Sequence, residues 1–231
     1  MATCSCLVFV AAERRELEGL LAHVDRIEKL NWPLDFARRG RLNGVEIVMV
    51  ANGPGPELAG QAVDVVRAHE SMDAVVSIGF CGGLHPSLGA CDIFVATEVI
   101  GVAPALAPAS SRRFKTGKLL SIDRVVSTAA EKAALAKKAD AVEMEACAVA
   151  DRAKQYHFPF YAVRVVTDTC EESFPLDFNR MRGVDGRFSR AKIVGAVLRK
   201  PTTVLPGLMK LNKRTKQAAL ALGVFLADAR F

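Results

Sequence analysis

Three sets of residues have the types and spacing for chemistry: Glu13 with Glu16, the run Gly79-Phe80-Cys81-Gly82-Gly83, and the carboxylates Glu143, Glu145 and Asp168. Each falls where an apolar run ends or a helical pattern begins. A carboxylate so placed can accept hydrogen bonds from hydroxyl groups, orient a water, or hold a proton against a departing group. Glycines let the backbone turn tightly and close on a ligand. Each set also has a plainer reading. Acids in a first helical turn oppose the macrodipole, an aspartate after a strand caps it, and glycine turns are common. Gly79-x-x-Gly82-Gly83 lacks the opening Gly-x-Gly of the dinucleotide fingerprint, and no well-placed acid follows about 20 residues later, which argues against a nicotinamide oxidoreductase.

Metal and disulfide chemistry have little support. The histidines at 23, 69, 85 and 157 lack the three- or four-residue spacing that puts two ligands on one helix face, so no metal is expected. The cysteines at 4, 6, 81, 91, 147 and 170 form no Cys-x-x-Cys pair and several sit in apolar or glycine-rich runs, as reduced thiols of a cytoplasmic protein would.

The elements that must position these residues alternate between strand and helix. Cys6 to Val10 reads as a strand and Leu17, Leu20, Leu21 and Val24 as a helical stripe. Phe36 to Arg41 and Val45 to Val50 flank Asn43-Gly44, a hairpin signature. A helix is expected from about Glu57 to Glu70, then a buried strand Ala74 to Ile78 running into the glycine turn, and another strand from Asp92 to Val99. Residues 101–111 read as an irregular loop, Lys118 to Ile122 as a return to the sheet, and Glu131 to Lys138 as a short helix. The spacing of Asp140 and Glu143 predicts a capped helix start, with Ala146, Val149, Ala150, Ala153 and Tyr156 as its stripe. Phe160 to Val166 is a β-branched strand ending at Thr167-Asp168-Thr169, where α/β sheets present chemistry. The pattern predicts an α/β fold, a three-layer αβα sandwich around a mixed, mostly parallel sheet.

With 231 residues, 51% hydrophobic and 24% charged, the chain suits one folded domain over 1–231, and no run suits a signal peptide or a membrane span. The net charge of +6 is misleading. Residues 187–227 hold nine cations and no acid, leaving the rest of the chain at net −3. Binding of nucleic acid by the whole protein is therefore not expected. Within the segment 199–231, Leu208, Met209, Leu211, Leu220, Leu222, Val224, Phe225 and Leu226 lie among the cations. That is either a basic amphipathic helix able to rest on an anionic membrane or a terminal helix packed on the core.

Taken together, Val75 to Val95 with its glycine run, Ala141-Val-Glu-Met-Glu-Ala-Cys-Ala148 and Pro159 to Asp168 resemble the purine nucleoside phosphorylase and nucleosidase superfamily. The Val-Glu-Met-Glu-Ala run is the most specific of these. In the tail, Pro175-Leu-Asp-Phe178, Leu198-Arg-Lys-Pro201 and Leu205-Pro-Gly-Leu208 resemble the hopanoid-associated phosphorylase branch. The resemblance implies a nucleoside phosphorylase-like fold and cleavage of a purine N-glycosidic bond. Asp168 is then the catalytic acid beside purine N7, and Glu145 the acceptor for the ribose 2′ and 3′ hydroxyls. Met144 packs on the sugar or base, and the backbone at Val125 meets the purine edge. Phe80, Gly82 and Gly83 are placed at the substrate. Glu143 is left as a helix-capping carboxylate.

The resemblance leaves the attacking group open. For hydrolysis a glutamate near the first strand orients water, and Glu13 is nearer the strand end than Glu16. For phosphorolysis Gly53 and Arg14 could bind phosphate, the only co-substrate expected, with no cofactor. Phe80 stands where phosphate-binding members often have Ser and Ser77 where some have Arg, which weakens a phosphate site. The hopanoid branch implies a lipid-linked nucleoside, adenosylhopane, losing adenine, with peripheral membrane contact through the C-terminal segment. Methylthioadenosine or another small purine nucleoside is the alternative substrate, and a non-catalytic nucleoside-binding protein the alternative of another class. The superfamily also implies a homo-oligomer.

Overall fold

A computed structural model describes residues 6–183, 185–199 and 201–231. The chain opens as strand β1 (Cys6–Ala11), every residue buried, and helix α1 (Arg14–Leu21). An exposed strand, β2 (Asp25–Lys29), precedes the hairpin β3 (Phe36–Leu42) and β4 (Val45–Ala51). At the turn both Asn43 and Gly44 have positive φ, 52° and 82°, the backbone that Asn-Gly adopts most readily in two-residue hairpins. Helix α2 (Pro56–His69) leads into β5 (Ala74–Gly83).

Two local expectations give way to sheet pairing. The glycines expected to form a tight turn continue β5, and Gly82 and Gly83 pair with Val142 and Ala141. Residues 141–143, expected to open a helix, form a strand instead. The remaining elements are β6 (Ile93–Val99), β7 (Ala103–Pro104), β8 (Lys115–Ser121), α3 (Ala129–Leu135), β9 (Ala141–Glu143), α4 (Ala146–Gln155) and β10 (Phe160–Asp168), followed by helices α5 (Phe178–Met181), α6 (Arg190–Arg199) and α7 (Pro201–Asp228). Because β9 lies between β8 and β5, its backbone groups gain partners on both sides, which outweighs the local capping pattern and delays the helix to Ala146.

The sheet runs β10-β6-β8-β9-β5-β1-β4-β3-β2, with β7 on β6. An added pairing of β10 with β5 closes β5, β9, β8, β6 and β10 into a ring. The sheet is mixed, with antiparallel pairings as frequent as parallel ones. Alternation along β1 and β4 divides the core into two layers. Val8, Val10, Val48 and Val50 face Val63 and Val66 of α2 and Val149 of α4, while Leu7, Phe9, Ile47 and Met49 face α1 and α7.

The C-terminal helix is in part a core element. Ala218, Leu222, Phe225 and Leu226 are at most 1% exposed. Helices α1 and α7 cross at glycines: a Cβ on Gly223 would lie 2.0 Å from the backbone carbon of Gly19. Helix α6 and the first half of α7 differ, leaving Val194, Leu198, Leu205 and Met209 exposed. No helix among the described residues is long and apolar enough to cross a membrane.

Candidate active site

The ends of β1, β5 and β10 and the β9–α4 junction meet at one side of the sheet, beside a cavity of about 890 Å³. Glu13, Arg14, Gly53, Phe80, Val125 and Glu145 all line it. Glu16, one helical turn beyond Glu13, lines it too and is 6% exposed. Its Oε2 accepts hydrogen bonds from the backbone N–H of Ala12 (2.8 Å) and Glu13 (2.9 Å), and its Oε1 from Phe80 N–H (3.0 Å). Burial pushes the Glu16 carboxyl above the usual range, and the neighbouring charge of Glu13 adds to this. Glu13 itself turns to the rim and pairs with Arg15 at 2.5 Å.

Glu145 stands at the start of α4, where its Oε1 accepts a 2.8 Å hydrogen bond from Gly55 N–H. Burial raises its proton affinity, and the nearby Glu143 and Glu16 raise it further. Glu143 is locked in place. Its Oε2 accepts from the N–H groups of Glu145 (3.0 Å) and Ala146 (2.9 Å) and from Arg164 Nη2 (2.7 Å), while Ser121 donates to Oε1. Arg164, 1% exposed, also donates to Ser77 O and Ser77 Oγ, each at 2.7 Å. Its charge therefore supports the wall of the site from behind and is not offered to a ligand.

Asp168, Met144, Gly82 and Gly83 are not among the residues that line the cavity. Asp168 and Val142 both pair with Gly82, so the two acidic segments do converge on the end of β5. A Cβ on Gly82 would come within 2.9 Å of Asp168 Oδ2, so only glycine fits without displacing the carboxylate. Asp168 Oδ1 accepts from Thr167 Oγ1 at 2.8 Å, and Oδ2 lies 2.5 Å from Lys132 Nζ. Burial raises the Asp168 carboxyl above its ordinary range, and the Lys132 ammonium opposes that shift. The sequence reading missed Lys132. Nothing local separates it from Lys137 and Lys138, because only the fold turns it inward.

Two expected ligand groups are already engaged. Gly53 lines the cavity, and its N–H donates to Ala12 O at 2.8 Å. Val125 N–H donates to Asn179 Oδ1 (2.8 Å), and Val125 O accepts from Asn179 Nδ2 (2.9 Å). A carboxamide thus fills the donor and acceptor that a purine edge would use.

The remaining wall is mixed, apolar side chains standing beside Arg187, Arg190, Asn212 and Thr215. Phe174, Phe178 and Phe188 enter from the segment after β10, Ile193 from α6, and Leu208 and Leu211 from α7. Arg14 stands over Phe36 at 5.9 Å, and Arg187 Nη2 reaches Asp35 at 2.7 Å and Asn52 O at 2.9 Å. Among the described residues no cluster of His, Cys, Asp or Glu could hold a metal ion.

Comparison with known proteins places this geometry in context. A family model described as the phosphorylase superfamily matches residues 7–105 and 102–184. Similar solved structures include the 5′-methylthioadenosine/S-adenosylhomocysteine nucleosidase of Neisseria meningitidis in complex with methylthio-immucillin-A, at 20% identity and TM-score 0.71, covering 97% of both chains. A putative nucleosidase of the same type from Borrelia burgdorferi bound to adenine aligns at 17% identity and TM-score 0.70, over 96% of this chain and 98% of that one. The futalosine hydrolase of Helicobacter pylori aligns at 19% identity and TM-score 0.69, over 96% of each chain. The shared architecture is that of nucleoside-cleaving enzymes.

Proposed function

The chain belongs to the phosphorylase superfamily, and from that premise we propose that it hydrolyses the N-glycosidic bond of an adenosine-type nucleoside bearing a large apolar 5′ group. Adenosylhopane is the substrate that the tail motifs suggest. One observation carries this reading: the cavity joins two carboxylates, Glu16 and Glu145, to the apolar side chains Ile193 of α6 and Leu208 and Leu211 of α7. Its 890 Å³ lies toward the upper end of the roughly 300–1,000 Å³ typical of small-molecule sites. A small nucleoside such as methylthioadenosine would leave the Ile193, Leu208 and Leu211 wall uncovered.

Bond cleavage builds positive charge at the sugar C1′ while electrons flow into the purine, so the site must serve both ends. Glu145 accepts hydrogen bonds from the ribose hydroxyls and holds the sugar. Glu16, rather than Glu13, orients the attacking water, since it is buried at the cavity and its Oε1 has a single backbone donor and so an acceptor site to spare. Asp168 supplies the proton to the departing base, a contribution of about 10²–10⁴ in rate. For the base to reach it, the segment carrying Phe174 and Asn179 must shift.

The same geometry favours water over phosphate. Glu16 occupies the N–H groups of Ala12, Glu13 and Phe80 that an anion would need. We read the outer faces of α6 and early α7 as a contact for anionic lipid. The exposed Val194, Leu198, Leu205 and Met209 lie among Arg190, Lys192, Arg199, Lys210 and Lys213. The same two helices give Ile193 and Leu208 to the cavity, so a lipid tail could pass from membrane to site along them.

Mass spectrometry of products from adenosylhopane and from methylthioadenosine, each with and without phosphate, tests the reading. Adenine and free ribosyl product without phosphate, with adenosylhopane preferred, is expected. A phosphate-requiring sugar phosphate, or preference for methylthioadenosine, overturns it.

A further inference from the structure

We propose that Lys132 and Asp168 act as one proton-holding unit, in which the Lys132 ammonium stores the proton that Asp168 passes to the purine. This rests on the glycosidic reading above. Lys132 reaches the substrate only through Asp168 and is therefore a positioning residue.

The geometry is that of a built pair. Lys132 sits on α3, yet its side chain is 1% exposed. Its ammonium lies 2.5 Å from Asp168 Oδ2 and donates to Thr169 O (2.7 Å) and Glu172 O (3.0 Å). All three N–H bonds thus have acceptors. The face toward the cavity is covered by the Phe174 ring, 5.6 Å from Nζ. Asp168 meanwhile has a donor on each oxygen, which opposes the rise that burial imposes on its carboxyl. Whenever the acid is ionised it needs a proton from elsewhere, and Lys132 is within reach of it. The other titratable groups facing the pair are Glu172 in the loop after β10, Arg214 on α7 and Cys81 on β5. Glu172 is itself tied to Arg214 and to Lys210.

In bulk water, moving a proton from lysine to aspartate is steeply uphill. Burial raises the proton affinity of the Asp168 carboxyl, which narrows that gap. As the C1′–N9 bond breaks, its electron pair enters the purine, Lys132 Nζ–H passes its proton to the Asp168 carboxylate and Asp168 passes it on to N7, leaving a carboxylate and a neutral amine. Water oxygen bonds to C1′, and the proton that the water releases restores the ammonium. The sum is one water added across the glycosidic bond.

Two variants separate this role from a structural ion pair. In Lys132→Met the store is gone, and Asp168 can act only while it holds its own proton. Its kcat should stay within about threefold of wild type near pH 6, then fall about tenfold or more by pH 8.5, where wild type remains active. Lys132→Arg keeps the charge, but a guanidinium does not release its proton in proteins, so activity should stay low at every pH. Restored activity in Lys132→Arg, or a Lys132→Met profile parallel to wild type, overturns the proposal. Infrared difference spectra against Asp168→Asn read the carboxyl directly, with or without turnover. An ionised Asp168 in wild type at pH 7 and a protonated one in Lys132→Met are expected, and identical bands in the two would refute the pair. If wild type cleaves no nucleoside, the glycosidic reading fails while the infrared comparison still decides the pair.

Discussion

Glu16 Oε1 lies 2.8 Å from the point at which a Cβ on Gly79 would stand, and Gly79 has φ +152°. The position of this carboxylate at the cavity thus depends on a glycine in β5, 63 residues away in the chain. Gly79→Ala should push Glu16 off its backbone donors and force a backbone that non-glycine residues rarely adopt, at about 1–3 kcal/mol. Steady-state assays on the purified variant should show kcat down about 100-fold or more in a protein that still folds. Unchanged kcat would separate Glu16 from the reaction.

The site should cost the unliganded protein stability. The carboxyls of Glu16, Glu145 and Asp168 are all raised by burial. The folded state therefore binds more protons than the unfolded state above the ordinary carboxylate range, and stability from these groups is lost as pH rises through their folded values. Glu172 works the other way: Arg214 and the Thr169 N–H hold it down at about 2, against the penalty of its partial burial, so its contribution is lost on acidification toward that value. Glu145→Gln should raise the melting temperature by about 2–8 °C near pH 8, corresponding to about 1–2 kcal/mol, and by less near pH 5. The same variant should lose about 10- to 100-fold in kcat/KM, as a carboxyl that accepts from two hydroxyls is replaced by an amide with a single acceptor oxygen. A pH-independent change in melting temperature would contradict this.

Asn179 sets a barrier to base binding. Its carboxamide holds both Val125 N–H and Val125 O, and these bonds must break before a purine edge takes their place. Each such bond is worth about 0.5–1.5 kcal/mol net. Asn179→Ala should therefore lower KM for an adenine nucleoside about 3- to 10-fold with kcat little changed. A raised KM would show that Asn179 belongs to the binding surface itself.

The tail offers a separate test. Flotation with vesicles containing anionic lipid should recover the wild-type chain, and a Leu198→Asp/Met209→Asp variant should be recovered at least about fivefold less, as two exposed apolar contacts become charges. The variant should keep its activity on a detergent-dispersed substrate. Equal recovery of the two proteins, or none of either, would remove the membrane contact.

Much of this site was legible in the sequence because the signals are short. Asn43-Gly44 fixes the hairpin, and Glu143, Glu145 and Asp168 stand at strand ends within local patterns. Glu13 and Glu16 differ by one helical turn and both line the cavity; sequence position favours Glu13, whereas the contacts with Gly79 and Phe80 make Glu16 the more buried of the two. The start of α4 was misplaced because pairing of residues 141–143 with β5 and β8 is a long-range effect. Lys132 left no local trace at all, since its acceptors at 168, 169 and 172 are brought to it by the fold.

The most direct measurement is cleavage of a 5′-alkyl adenosine in ¹⁸O-water, with the released sugar read by mass spectrometry. Release of adenine at a rate independent of added phosphate, with one ¹⁸O at the sugar C1, is the predicted result. Unlabelled sugar 1-phosphate formed only when phosphate is present, or no adenine at all, would contradict the account.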